Sequence, residues 1–479
     1  MKNIYTSLLL LILYYCSIYC QKTFNNWSVW IVINNRISFN TADGEPAFSY
    51  QGNIRTYHNV FSDSSGVPLF HTDNTKFWNK DYRIIQNLDS TFNDFKNADR
   101  HLAFEITDLP GIFYYISAFT GTIGSNGFIM TGLRYSLLDF YSDKSGKFIF
   151  QNKMLLDTTF GDFAATYHNN KKDVWIVTKN SCNNIFYSYL ATKDGIYFKD
   201  AKYINGYFYN KGNFWSITEA ISIKLAANGD LMTFTDRTYG ILTIIKFNNS
   251  TGVLSSPIQI DNSIIGLPYQ SEISPNGRFV YVTCYDNFSN DSFNIAAVYQ
   301  VDTKNWDSSS IHQSIYPVYK SIQMKGYGFP LDTMFLSIQL GPNGKIYFFE
   351  HRVRGGGLAT DVYLCSINNP NQKGKECNIT RSDILYGYQC PIHNLPKCLY
   401  KDLLAVEIYG DSLCEGKELR IKSNVGCGVN GYKYFWSGPN NFTSNDTNVY
   451  LSKAKYINSG WYYLKVTMND LEATDSVFV

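Results

Sequence analysis

The sequence predicts an all-β protein, and three observations support this prediction. Aromatic and β-branched residues fall into short runs that are separated by turns rich in glycine, asparagine and aspartate. Helical periodicity is not sustained anywhere along the chain. Aromatic residues make up 16% of the 479 residues, and charged residues make up only 17%. This charged share is below the roughly 25% of an average soluble domain, so we expect a tightly packed chain rather than a disordered one.

A short phrase recurs along the chain and predicts repeated hairpins. In each copy, a polar turn that contains glycine leads into an aromatic or β-branched run. The copies lie at 64–70, 144–150, 228–232, 275–281 and 342–348. Asn-Gly between alternating apolar residues is a strong hairpin signal. Other strand-like runs lie between these turns, at 113–116, 174–177 and 297–301.

The span 25–400 is predicted to form a β-propeller of about seven blades. This span is too long for one sandwich. Each four-stranded blade of a propeller takes roughly 40–50 residues, and many short strands with regular turns suit that architecture. The remaining length is expected in loops, such as the one at 355–357, which is rich in glycine. A phosphate-binding loop is disfavoured there because the segment leads into a strand and not into a helix.

The span 401–479 is predicted to form a small immunoglobulin-like sandwich. An alternating strand follows Cys414, a second strand carries Trp436 at its centre, and a late strand at 459–466 carries tyrosines. A tryptophan on an early strand and a tyrosine on a late one fit that fold. Leu464 and Val466 occupy the late strand where a disulfide cysteine would be expected, so the inter-sheet disulfide of antibody domains is predicted to be absent.

Residues 1–20 have the pattern of a secretory signal peptide. A single positive charge, Lys2, precedes an apolar core at 8–13. That core is too short to cross a membrane, which takes about 20 residues. Cleavage is expected after Cys20, and lipid attachment at Cys16 or Cys20 is disfavoured because a tyrosine precedes each of them. We therefore expect a protein that is secreted or held at the cell surface and has no transmembrane segment.

Eight cysteines remain after this cleavage, and an oxidising compartment favours disulfides between them. The simplest expected pairs are local ones. They are Cys365–Cys377, Cys390–Cys398 and Cys414–Cys427, with Cys182 and Cys284 left to pair at a distance or to stay as thiols. Zinc is the rival interpretation of clustered cysteines, but the spacings lack the CxxC half-sites of structural zinc centres. We therefore predict no metal site.

Several stretches resemble one known family when they are taken in their order along the chain. They are Trp30, Phe39-Asn40, 63–70, 77–79, 271–277, 298–302, 338–347, 367–371 with Cys377, and 394–396. This series is similar to the secreted β-propeller proteins of Bacteroidota that are labelled gliding-motility-associated or PKD-domain proteins. The resemblance covers nearly the whole span 27–400. The segments 414–416 and 436–442 also resemble the immunoglobulin-like modules that follow such propellers.

Charge and motif content exclude several function classes. The net charge is only +2, so a strongly basic nucleic-acid binder is not expected. The seven histidines show no metal-ligand spacing such as HExxH. We therefore predict neither a cofactor nor a nucleic-acid partner.

The sequence favours a non-enzymatic binding or adhesion protein, because neither predicted domain shows a catalytic signature. The propeller loops would recognise an extracellular glycan or protein. Tyrosine and tryptophan anchor such contacts because they bury a large area at little cost in conformational entropy. The candidate ligand-binding aromatics are Tyr207, Tyr209, Trp215 and Trp306.

Two alternative functions stay open at this point. One is an extracellular carbohydrate-active hydrolase, which needs two carboxylates that converge on the propeller face. The candidate acids near strand ends are Asp63, Asp73, Glu219, Asp236, Glu272 and Glu350. The other is a structural subunit of a gliding or secretion assembly at the cell surface, whose partners would be the other members of that assembly.

Overall fold

The structure, a computed structural model, describes most of the chain beyond residue 100. The described residues are short stretches between 21 and 85, then 100–123, 128–180, 183–204, 221–286, 293–324, 333–341, 343–354, 359–386, 404–410, 413–426, 432–468 and 471–479, with Leu399. The predicted signal peptide at 1–20 lies outside the described residues.

Nearly all regular structure in this part of the chain is β-strand, which confirms the predicted class. Sheet 1 contains β1 (Gln21–Lys22), β5 (Asn59–Ser62), β6 (Pro68–Thr72) and β7 (Phe77–Asn79), with β1 parallel to β5. A separate three-stranded sheet contains β2 (Val29–Val32), β3 (Asn35–Ser38) and β4 (Ala47–Tyr50).

Five further sheets are antiparallel meanders of four consecutive strands. Sheet 2 contains β8 (Arg100–Ile106), β9 (Leu109–Ile123), β10 (Phe128–Asp139) and β11 (Lys147–Leu156). Sheet 3 contains β12 (Thr159–Tyr167), β13 (Val174–Asn180), β14 (Ile185–Thr192) and β15 (Gly195–Tyr203). Sheet 4 contains β16 (Ile221–Leu225), β17 (Leu231–Asp236), β18 (Ile241–Phe247) and β19 (Leu254–Ile260).

The last two meanders carry the short helices. Sheet 5 contains β20 (Leu267–Ile273), β21 (Phe279–Asp286), β22 (Phe293–Asp302) and β23 (Tyr316–Met324). Sheet 6 contains β24 (Thr333–Leu340), β25 (Ile346–Arg354), β26 (Ala359–Ile367) and β27 (Ile379–Tyr386). Helix α1 (Asn262–Ile265) precedes sheet 5, α2 (Ser308–Ser314) connects β22 to β23, and a 3₁₀ turn (Gly374–Cys377) precedes β27.

The first strands of sheets 2–6 are arranged around one small cavity. Strand β12 contacts β16, β16 contacts β20, and β20 contacts β24. Each of the five first strands contributes to its lining, for example through Leu102, Ala165, Lys224, Glu272 and Gln339. Four-stranded meanders that radiate from a shared centre give a propeller-like all-β fold.

Consecutive sheets pack face to face through apolar side chains. Phe186 of sheet 3 meets Phe234 of sheet 4 edge-on, with ring centroids 5.4 Å apart. The same faces bury Trp175, whose side chain packs in this cluster. Aromatic pairs of this geometry add stabilisation beyond the area that they bury, so the high aromatic content of the sequence is used largely to hold the sheets together.

Outer turns also connect neighbouring sheets by hydrogen bonds. The β18–β19 turn of sheet 4 accepts a bond at the Asn249 carbonyl from Trp175 Nε1 of sheet 3, at 2.8 Å. The β26–β27 connection of sheet 6 accepts one at the Pro370 carbonyl from the Tyr281 hydroxyl of sheet 5, at 2.9 Å. Each outer turn therefore lies on the sheet that precedes it.

Four of the five predicted turn phrases form tight turns through glycine. Gly146, Gly229, Gly277 and Gly344 have φ values of 82°, 75°, 74° and 78°. This left-handed conformation is open to glycine at little steric cost, so the sequence phrase marks these turns correctly. The glycine of the phrase at 64–70 lies outside the described residues.

The C-terminal strands form two further antiparallel sheets. One contains β28 (Ala405–Gly410), β29 (Leu419–Gly426) and β32 (Val449–Leu451). The other contains β30 (Lys433–Gly438), β31 (Phe442–Ser444), β33 (Trp461–Met468) and β34 (Leu471–Phe478), and a 3₁₀ turn (Tyr456–Asn458) precedes β33. Trp436 and Tyr462 are fully buried in these strands, and Trp436 Nε1 donates to the Asp446 carbonyl at 2.9 Å.

We predict that Gly252→Ala destabilises the protein strongly. Gly252 has φ +77°, and a Cβ there would lie 2.4 Å from the ring of Trp175. We expect a loss of about 3 kcal/mol, from left-handed backbone strain together with the steric overlap. Denaturant unfolding followed by circular dichroism would measure it.

Gly374→Ala is the matched control for this variant. Gly374 has φ +60°, but the nearest atoms to its added Cβ are at 3.8 Å, an ordinary contact distance. It should lose only the backbone part, about 1 kcal/mol. Equal losses in the two variants would show that the contact with Trp175 is unimportant.

Candidate functional site

The cavity at the centre of sheets 2–6 is very small, and three polar side chains lie in its otherwise apolar lining. Its volume is about 30 Å³, which leaves room for water and not for an organic ligand. Lys224 Nζ lies 3.0 Å from Glu272 Oε2, and it also donates to the amide oxygen of Gln339. The three polar side chains that line the cavity are thus bonded to one another.

Glu272 also holds two sheets together. Its Oε1 accepts from its neighbour Ile273 N at 2.9 Å, and its Oε2 accepts from Leu340 N of sheet 6 at 3.0 Å. The side chain is buried. Because a buried carboxylate must be paired and hydrogen-bonded to be tolerated, both of its oxygens are committed to the fold.

Asp162 plays the same part between sheets 3 and 4. Its Oδ1 accepts from Phe163 N and its Oδ2 accepts from Ile223 N of sheet 4, both at 2.8 Å. Arg100 Nη1 pairs with the same Oδ2 at 2.5 Å, and Arg100 Nη2 donates to the Ile221 carbonyl. Both charges are buried, so this ion pair is part of the inter-sheet contact.

The predicted hydrolase acids do not share one site among the described residues. Asp236 accepts from Thr238 N and Tyr239 N at the β17–β18 turn, and burial raises the pKa of its carboxyl. Glu350, also buried, accepts from the Tyr319 hydroxyl at 3.0 Å, and Arg381 lies 3.6 Å from it. Asp63, Asp73 and Glu219 lie outside the described residues. Asp236, Glu272 and Glu350 are thus held by three separate sets of partners.

An open polar cleft lies where the turns of sheet 4 meet sheet 3. We call it the amide cleft, and it has a volume of about 450 Å³. Its polar lining includes Asn169, Asn228, Asp230, Lys246, Asn248 and Ser255. One acid and one base balance its charge, and side-chain amides dominate, so its chemistry suits hydroxyl groups that both donate and accept hydrogen bonds.

A second open cleft lies at the corresponding turns of sheets 5 and 6. We call it the basic cleft, and it has a volume of about 380 Å³. Its lining includes Arg278, Asp302, Lys304, Asn305, Gln313 and Lys373. Arg278 binds Asp302 through two bonds of 2.8 and 2.6 Å, and these bonds lower the pKa of that carboxyl. Three cations and one carboxylate leave this cleft positively charged.

The two clefts are neighbours at one end of the sheets. The Asn228 side chain of the amide cleft lies against Gly277, which precedes Arg278 of the basic cleft. Trp306 lies between them, since Lys246 Nζ is 5.0 Å from its ring centroid and its Nε1 donates to the Ser256 carbonyl at 3.1 Å.

One predicted ligand-binding residue lies beside this surface, and its role in binding stays a prediction. Trp306, one of the four predicted ligand-binding aromatics, is half-buried between the clefts. Tyr207, Tyr209 and Trp215 lie outside the described residues. The polar cleft residues were missed, although the phrases at 228–232 and 275–281 identified their turns.

The predicted Cys365–Cys377 disulfide is wrong, and it is the local pair for which the structure describes both cysteines. Cys365 and Cys377 carry thiols, as do Cys284 and Cys414. Cys365 Sγ lies 3.9 Å from Glu350 Oε2, whereas the Cys377 thiol hydrogen-bonds the Tyr281 side chain. These two thiols have different partners, so closeness in sequence does not bring them together. Cys182, Cys390, Cys398 and Cys427 lie outside the described residues.

The described part of the chain shows neither a metal-binding cluster nor a membrane-spanning helix. No group of three or more histidine, cysteine, aspartate or glutamate side chains is placed there to hold a metal ion. No helix in the same residues is long and apolar enough to span a bilayer.

Comparison with known proteins identifies no family. No family model matches the chain, and no curated protein matches it. Among solved structures, the Dos1 propeller is 13% identical, with 92% of this chain and 97% of that one covered and a TM-score of 0.31. The periplasmic gluconolactonase of Pseudomonas aeruginosa is 10% identical, with 58% and 86% covered and a TM-score of 0.31.

The Kuenenia stuttgartiensis hydrazine synthase is a third similar structure. It is 11% identical, with 54% of this chain covered and a TM-score of 0.32, and this chain spans 64% of its length, less than two thirds. TM-scores this low, together with such low identities, support no statement about the activity of this chain. Function is therefore inferred from the chemistry of the site itself.

We predict that Glu272→Gln destabilises the fold by about 3 kcal/mol, since it leaves the largely buried ammonium of Lys224 beside a neutral partner. The matched control is Asp108→Asn, which removes an exposed partner of Lys172 at 3.1 Å and should cost about 0.5 kcal/mol. Urea unfolding at pH 7 would compare the two variants. A stability loss for Glu272→Gln no larger than that of the control would contradict the structural role.

We predict that Cys414 is alkylated in the native protein, whereas Cys284, Cys365 and Cys377 react only after unfolding. Cys414 is exposed and the other three are buried, and burial raises the pKa of the Cys284 thiol and raises that of Cys377 to about 11. The thiolate is the reactive form. Peptide mass spectrometry after N-ethylmaleimide treatment would show this. Recovery of a Cys365–Cys377 or Cys414–Cys427 cross-linked peptide would contradict it.

Proposed function

We propose that the protein is a secreted or cell-surface binding protein without enzymatic activity. It recognises an extracellular polysaccharide or protein through the turns at one end of its sheets. The observation that carries this proposal is the contrast between the sites. The amide and basic clefts are open and measure about 450 and 380 Å³, whereas the central cavity measures about 30 Å³.

The occupation of the central polar groups supports the non-enzymatic part of this proposal. A hydrolase of this architecture needs two carboxylates that face a substrate. Glu272 is bonded to Lys224 and to the Leu340 backbone, and Glu350 is buried beside Arg381. Groups bound in this way stabilise the fold and are not poised to exchange protons with a ligand.

The proposed architecture is a seven-bladed propeller at 25–400 followed by an immunoglobulin-like module at 401–479. Within the described residues, six four-stranded sheets and the three-stranded sheet β2–β4 support the blade number. The two C-terminal sheets, with Trp436 and Tyr462 buried in their strands, support the module. The apolar run at 8–13 supports the extracellular location.

We predict binding without turnover when the purified full chain is screened on immobilised polysaccharides. Each well is scored both for retained protein and for released reducing sugar. We expect retention on at least one polysaccharide and no sugar release above a buffer blank. Sugar release that disappears in a folded Glu272→Gln or Glu350→Gln variant would overturn the proposal in favour of a hydrolase.

If no polysaccharide is retained, the second step is capture of protein partners from intact cells, with heat-denatured chain as the control. A saturable partner would keep the binding function and identify a protein ligand. Absence of binding in both steps would contradict the proposed function.

A further inference from the structure

The basic cleft carries more positive than negative charge. Asp302 is its single carboxylate, and Arg278 grips both of its oxygens. Lys373 Nζ lies 3.9 Å from Asp302 Oδ2, and Lys304 donates its backbone N–H to Oδ1 at 3.1 Å. Asp302 thus pairs with Arg278, lies within ion-pair distance of Lys373 and holds the backbone of Lys304. Its single negative charge leaves two of the three positive charges of the cleft uncompensated.

The guanidinium of Arg278 is fixed before any ligand arrives. Asp302 holds its Nε and Nη2, and its Cζ lies 4.7 Å from the ring centroid of Phe279. The N–H groups of its Nη1 take no part in these two bonds. A fixed arginine is suited to a planar or tetrahedral oxyanion because little side-chain freedom is lost on binding.

The amide cleft continues this surface with uncharged chemistry. Asn228 lies against Gly277 at the border of the clefts. The Trp306 ring lies 5.0 Å from Lys246 Nζ of the amide cleft, and Trp306 directly follows Asn305 of the basic cleft in the chain. Side-chain amides bind sugar hydroxyls, and a half-buried tryptophan offers an apolar edge between the two clefts. A ligand that occupies both clefts therefore carries hydroxyl groups and anionic groups on one chain.

We propose that the ligand is an anionic polysaccharide, with its acidic groups in the basic cleft and its neutral sugar hydroxyls in the amide cleft. This inference rests on the proposed function and names the ligand class of the same surface. The shared chemistry is a sugar chain that bears carboxylates or sulfates. A carboxylate probe and a sulfate probe distinguish these two kinds of acidic group.

The test measures binding of the full chain to polygalacturonate, dextran sulfate and neutral dextran by biolayer interferometry. The carboxylate and sulfate probes distinguish the two kinds of acidic group. We expect binding to at least one anionic probe, no binding to dextran, and weakening as salt rises because exposed charges are screened.

The decisive variant is Lys304→Gln with Lys373→Gln. Both lysines are exposed, so the fold should be retained, as circular dichroism would verify. Affinity for the preferred anionic probe should fall by about tenfold, the loss expected from two solvent-exposed charge pairs. The matched control is Lys153→Gln with Lys199→Gln, two exposed lysines on β11 and β15, which should change affinity less than about twofold.

Three outcomes would overturn the inference. Equal binding to dextran and to both anionic probes would assign the surface to neutral sugars and leave the proposed binding function intact. An equal loss of affinity in the two double variants would mean that overall charge, and not the basic cleft, attracts the probe. Tighter binding to a control DNA oligonucleotide than to either polysaccharide would show a general polyanion surface.

Discussion

The central constraint of this structure is the free edge of each first strand. A first strand pairs with its own sheet on one side only, and its other edge faces the crowded centre. A buried backbone N–H without a partner costs as much as a lost hydrogen bond. Asp162 and Glu272 supply such partners. Their carboxylates accept hydrogen bonds from Ile223 N and Leu340 N of the following sheet. The carboxylates at the centre thereby replace the ladder that neighbouring strands would otherwise form.

This use of charge at the centre explains where recognition can occur. Glu272 balances Lys224, and Asp162 balances Arg100, so removing either acid would leave a cation that is buried or largely buried without its partner. These paired groups cannot rearrange around a ligand without losing the contacts that stabilise the fold. Side chains in the turns face solvent, so they can rearrange around a ligand. Glycine allows the tight backbone conformation of these turns. Binding is therefore better placed at the turns than at the centre.

The sequence predicted several turns and strands, but it did not predict the polar cluster at the centre. Turn phrases with glycine predicted four hairpins, because φ above zero is a local property that glycine reveals. The cluster of Lys224, Glu272 and Gln339 could not be predicted, since its members are 48 and 115 residues apart and meet only when the sheets close. The expected Cys365–Cys377 disulfide failed for a related reason, because short spacing does not say which way a strand points its side chain.

The C-terminal sheets have a consequence for the end that is proposed to bind the ligand. A Cβ at Gly344 would lie 2.7 Å from Leu471 Cδ1, so the β24–β25 turn of sheet 6 is in contact with strand β34. This turn lies at the same end as the turns that carry Asn228 and Arg278, because Asn371 of sheet 6 bonds Asn276 N there. The C-terminal sheets thus cover part of that end at sheet 6. A long ligand would approach the turns of sheets 3–5 and the β26–β27 connection of sheet 6, which together line the amide and basic clefts.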